Sequence, residues 1–92
     1  MKLVIRAKVA DDIAAIFAWI AKDNARAAKE TIRRIRERIG YLTTPGLANI
    51  GRPGLDQGTR ELVEYPYIIV YEAHEWRGQI VVLAIFHGAQ NR

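Results

Sequence analysis

Gln79-Ile80-Val81-Val82-Leu83-Ala84-Ile85-Phe86 is the most continuously apolar run in the chain, preceded by Gly78 and followed by His87-Gly88. A β-branched run of this length between turn residues reads as a strand, and its lack of alternation marks a central strand with helices covering one face. Two more strand-like segments lie before it, Thr59 to Tyr65 and Tyr67 to His74, and the turn Glu75 to Gly78 joins the second to the run. Together they make a meander. Lys2 to Arg6 is a short β-branched run flanked by charges, and it supplies a first strand lying along the free side of the central one.

Between the first strand and the meander the period changes from two to three and four. Val9, Ile13, Ile16, Phe17 and Ile20 share one face of an amphipathic helix, and the expectation is that Asp11 and Asp12 occupy its first turn, at the positive end of the helix dipole. Asp23 and Asn24 punctuate, and either can cap a second helix carrying Ala28, Thr31 or Ile32, Ile35, Ile39 and Leu42 at the same spacing. With almost no loop between them, the helices must fold back as an antiparallel hairpin. Thr43 to Gly58 then holds four of the seven glycines and two of the three prolines, without periodicity, and Leu47, Ile50 and Leu55 are the expected packing residues of that long loop. The order is β-α-α-β-β-β: an α+β domain spanning residues 1–92, with the helical hairpin on one face of a largely antiparallel four-stranded sheet.

Composition narrows the chemistry. Of 92 residues half are hydrophobic and 26% charged, as in a globular domain. No apolar stretch is long enough for a membrane span and the opening MKLVIRAK is too short for a signal peptide, so the chain reads as cytoplasmic. It has neither cysteine nor serine, which excludes thiolate metal sites, disulfides and both common nucleophiles. Gly51-Arg52-Pro53-Gly54 lacks the lysine and the following helix of a phosphate loop, and neither His74 nor His87 sits in a metal-ligand spacing. No cofactor or metal is expected. The net charge of +4 is confined to Arg26–Arg38, where six bases face two acids, so an acidic partner would meet one face of the molecule. Direct nucleic-acid binding is not expected there, because acids interleave the bases and no aromatic ladder accompanies them.

Arg60, Tyr71 and His87 are the residue types that ribonuclease chemistry needs, a cation with a general acid and base. The plainer reading makes Arg60 and Glu61 surface ion-pair partners, Tyr71 a half-buried strand residue and His87 a solvated strand end. Trp19 reads as an edge-of-core residue, whereas Trp76, between Glu75 and Arg77, reads as exposed.

In order along the chain, Asp12-Ile13, Trp19-Ile20-Ala21, Asp23-Asn24, Gly51-Arg52-Pro53-Gly54, Gly58-Thr59-Arg60-Glu61-Leu62-Val63, Tyr67-Ile68-Ile69-Val70-Tyr71 and Phe86-His87-Gly88-Ala89 resemble the ParE branch of the RelE/ParE toxin superfamily over nearly the full length. The resemblance implies a type II toxin neutralised by a ParD-like antitoxin, with DNA gyrase as target and no enzymatic activity of its own. RelE-like relatives are instead ribosome-dependent messenger-RNA endonucleases, and that alternative would use Arg60, Tyr71 and His87. Where those enzymes resemble one another in carrying arginine, this chain has Ile68 and Gly88, and no tyrosine follows His87. A third possibility is an inactive module that only binds antitoxin. For the antitoxin, the helix-hairpin groove and a free sheet edge are natural docking places, with Ile16, Trp19 and Ile20 in the groove and Arg33, Arg34 and Arg60 as charge partners. For the target, the C-terminal exit is nominated: His87, Gln90 and Arg92.

Overall fold

The computed structural model of the chain describes residues 1–89. Strand β1 (Lys2–Ile5) leads into helices α1 (Ala7–Ala21) and α2 (Ala25–Tyr41), followed by β2 (Arg52–Pro53), β3 (Arg60–Glu64), β4 (Tyr67–His74) and β5 (Gln79–His87). The strands form one sheet in the order β1-β5-β4-β3-β2. β1 pairs in parallel with β5, Lys2 opposite Gln79 through Ile5 opposite Val82, and every other pairing is antiparallel. The expected α+β architecture is present. The sheet has five strands and not four, because Arg52 and Pro53 within the long loop pair with Glu61 and Arg60. A two-residue strand carries no alternation of its own, which is why periodicity does not reveal it.

β5 contains a bulge. Val70 lies opposite Ala84 but Tyr71 lies opposite Val82, so Leu83 is an extra residue. The insertion reverses the side-chain alternation, which lets Ile80 and Val82 before it and Ile85 after it all enter the core. Against them pack Val9 and Ile16 of α1 and Ile32, Ile35, Ile39 and Leu42 from α2 and its end, with Leu62, Tyr67, Ile69 and Tyr71 from the neighbouring strands. A 3-10 turn at Glu75–Arg77 closes the β4–β5 hairpin, ending on Gly78 at φ 61°, a left-handed conformation that glycine adopts without steric cost.

α1 begins at Ala7, before Val9, so Asp11 and Asp12 sit beyond the first turn and do not serve the helix dipole as expected. Asp12 instead joins two elements, since its carboxylate pairs with Lys8 at 2.8 Å and accepts the backbone N–H of Ile85 at 2.9 Å, tying α1 to β5. At α2 the cap is Asn24, whose side chain accepts the N–H of Ala27 at 3.0 Å. Of the apolar residues nominated to pack the long loop, Leu47 is half-buried while Ile50 and Leu55 are exposed, and Ala48 packs against the core. Replacing Asn24 by alanine orphans a helix-terminal donor and should lower stability by about 1 kcal/mol, measured by urea unfolding at unchanged m value.

Candidate functional site

α1 offers two flanks, one on either side of its core-facing row. Asp12, Ala15, Ile16 and Trp19, at spacings i, i+3, i+4 and i+7, line a cleft of about 500 Å³ whose opposite wall is Tyr67, Ile85, Phe86 and His87. The cleft exists because β1 ends opposite Val82 while β5 continues to His87, so that among the described residues β5 has no neighbouring strand on that side along its last residues. Asp12 covers one backbone donor of that edge, at Ile85. The Tyr67 and His87 rings meet edge to face, 5.5 Å between centroids, and burial pushes the Tyr67 phenol above its ordinary pKa. Trp19 is 70% exposed at the cleft rim, with the Lys22 ammonium 5.1 Å from its ring, so it is not an edge-of-core residue. The reason is rotational: the core-facing row of α1 is Val9, Ile13, Ile16 and Ile20, and position 19 turns toward the flank.

The residues nominated for the two partners divide among distinct places. Ile16 and Trp19 line the cleft together with His87, so part of the antitoxin set and part of the target set share one surface. Ile20 packs inward against the core. Gln90 and Arg92 lie outside the described residues. Arg33 and Arg34 are on α2, away from this cleft. The Arg33 guanidinium bonds Glu30 and Glu37, each at 2.7 Å, while Arg34 and Arg38 reach Glu64 of β3 at 3.9 and 3.6 Å. Hydrogen bonding between Glu30 and Arg33 lowers the carboxyl pKa and raises that of the guanidinium.

The ribonuclease-type residues are not assembled. Arg60 and Tyr71 are cross-strand partners, but His87 pairs with Tyr67, four residues away along β4, roughly 13 Å at strand rise. Tyr71 is fully buried, not half-buried, and its hydroxyl accepts the Gly51 N–H at 3.0 Å. Arg60 donates to the carbonyl oxygens of Asn49 and Gly51. It is not a surface partner of Glu61, which is buried and bonds Arg52 at 3.1 Å. Both catalytic-type side chains therefore hold the long loop against the sheet. Gly51 fits closely there, since a Cβ at that position would lie 2.7 Å from the Glu61 carbonyl oxygen and 2.8 Å from the Tyr71 hydroxyl.

Asp12 and Phe86 also line the cleft, and neither stands out in the sequence as a site residue, although the i, i+3, i+4, i+7 spacing from Asp12 to Trp19 is there to be read. The groove between the two helices of the hairpin, expected from the sequence as an antitoxin docking place, lies on the second flank of α1; Ile16, Trp19 and Ile20 do not line it, though Arg33 does. There Ala10, Ile13, Ala14 and Phe17 repeat the same spacing and face Lys29, Ile32, Arg33 and Arg36 of α2 across a groove of about 670 Å³. Trp76, expected to be exposed, is fully so.

Residues 3–92 match the family described as the ParE toxin of the type II toxin-antitoxin system, parDE. Among solved structures, a chain of the chromosomal ParDE system from P. aeruginosa superposes with a TM-score of 0.79 at 23% identity, over 95% of each chain. A chain of a RelBE toxin-antitoxin complex from Mycobacterium tuberculosis gives a TM-score of 0.67 at 16% identity, over 97% of this chain and 92% of that one. No curated protein sequence matches significantly.

Removing the Tyr71 hydroxyl leaves the Gly51 N–H buried without an acceptor. Tyr71→Phe should therefore cost about 1–3 kcal/mol in denaturant unfolding. An increase in amide exchange centred on residues 49–52 would locate the loss in the loop.

Proposed function

With its match running over residues 3–92, the chain belongs to the family of ParE toxins of type II toxin-antitoxin systems, and from that membership we propose that it arrests growth by binding its target, not by cutting a substrate. The target in this reading is DNA gyrase, which places its action in the cytoplasm, and the neutralising partner is a ParD-like antitoxin. One observation carries the choice of binding over catalysis. Arg60 and Tyr71, the catalytic-type residues that lie together, are engaged by the loop backbone, while His87 stands at the far end of β4. An endonuclease would need a general base, a general acid and a cation converging on one phosphate.

The α1–β5 cleft is the docking place we assign to the antitoxin. It combines an exposed tryptophan, an apolar floor at Ile16 and a strand edge continuing past β1, which suits an extended segment that is disordered when alone. His87, nominated for the target, stands on the same cleft, so an antitoxin seated there covers target-facing surface. Neutralisation is then occlusion.

Purified chain should inhibit supercoiling by gyrase, and equimolar antitoxin should restore it. Gyrase unaffected over a wide excess, with transcripts cut on ribosomes instead, would establish the endonuclease reading in its place. Trp19→Ala should fold normally, because the side chain is exposed, yet weaken antitoxin binding by about 2 kcal/mol, roughly thirtyfold, by calorimetry. An unchanged affinity would move the antitoxin away from this cleft.

A further inference from the structure

The sheet ends on two incomplete edges, and a charged side chain from each helix stands on one of them. β1 stops opposite Val82, so among the described residues β5 has no outer neighbour from residue 83 onward. β2 lies opposite only Arg60 and Glu61, which leaves residues 62–64 of β3 in the same position on the other side. On the first edge the Asp12 carboxylate of α1 accepts the Ile85 N–H at 2.9 Å. On the second, the Arg38 guanidinium of α2 donates to the Val63 carbonyl oxygen, also at 2.9 Å. The signs match, an anion on a backbone donor and a cation on a backbone acceptor. We infer that Asp12 and Arg38 are edge guards, which keep two copies of this chain from joining their sheets while leaving the edges open to a strand of another kind.

Without the guards both edges suit self-pairing. Leu83, Ala84, Ile85 and Phe86 carry no charge, and Leu62 and Val63 are likewise apolar, so an antiparallel second copy would set like against like with nothing to repel it. Symmetry is what makes one guard selective. A second copy brings its own, so pairing through Ile85 displaces two carboxylates and pairing through Val63 displaces two guanidinium groups; a foreign strand displaces one. Each displaced bond is charge-assisted, the stronger kind. The guards are also held in place. Lys8 takes both Asp12 oxygens, at 2.8 and 2.9 Å, and the carboxylate is only 16% exposed against 65% for Lys8. Arg38 lies 3.6 Å from Glu64, at the end of the strand it covers. Neither the gyrase nor the antitoxin assignment enters here. An extended partner in the α1–β5 cleft would exchange its own carbonyl for one carboxylate, which stays paired with Lys8, and so meets half the barrier a second copy meets.

Self-association of the full chain, followed by sedimentation up to about 1 mM protein, is the test. Wild type should remain monomeric. Asp12→Ala and Arg38→Ala should each associate at least about tenfold more tightly than wild type and stop at the dimer, because each opens one edge and a two-fold contact closes on itself. The double variant opens both edges and should elongate beyond the dimer. Asp12→Asn, whose amide oxygen can still accept the Ile85 N–H, should return most of the chain to monomer. Urea unfolding at an unchanged m value qualifies each variant as folded; if Asp12→Ala does not pass, Arg38→Ala on the opposite edge carries the test. Contacts between isotope-labelled and unlabelled copies should centre on Ile85 in the first dimer and on Val63 in the second. Four results would each overturn the proposal: folded single variants that stay monomeric over that range, wild type that pairs through either edge as tightly as they do, contacts that lie elsewhere, or a double variant that stops at the dimer.

Discussion

β5 is nine residues long and its outer neighbour β1 only four, and the rest of the molecule is arranged around that mismatch. Backbone donors and acceptors on the unpaired stretch must find partners or water. The bulge at Leu83 turns Ile85 into the core, and Asp12 reaches from α1 to take the Ile85 N–H. That bond fixes how close α1 stands to the strand, and so sets the width of the cleft between them. A longer β1 would have closed the sheet edge and removed the cleft. An exposed edge invites pairing with other chains, and a carboxylate placed on it is one way to keep it selective.

Much of the fold is legible because it is written in period. Val9, Ile13, Ile16 and Ile20 announce α1, Ala28 through Leu42 announce α2, and the apolar run from Gln79 announces the central strand. What escapes is set by tertiary contact. Nothing local in Arg52-Pro53 distinguishes a strand from loop until Arg60 and Glu61 lie opposite. Asp12 is a dipole carboxylate only for a helix starting at Val9; α1 starts at Ala7, and the bond from Asp12 to Ile85 spans 73 positions. The bulge is invisible in a run where every side chain is apolar.

The candidate site is legible in part, and the split has a physical basis. Ile16 and Trp19 can be found because helical spacing places them next to one another; Ile20, one step round, faces the core. Arg33, Arg34 and Arg60 stand out on charge alone, and charge is the property that internal partners cancel. Two of these arginines meet glutamates and the third meets loop carbonyls. Arg60 and Tyr71 show that residue types suited to phosphate chemistry serve equally to pin a glycine-rich loop. Only their burial and partners tell the two uses apart.

The exposure of both tryptophans has an optical consequence. With Trp19 at the cleft rim and Trp76 wholly in solvent, the core holds no indole, so tryptophan emission carries little information about folding. It carries a good deal about contact. Trp76 supplies a constant, water-quenched background from the hairpin tip, and the variable part comes from one ring under the Lys22 ammonium. The chain is in effect labelled with a built-in fluorophore at the surface where a partner would arrive.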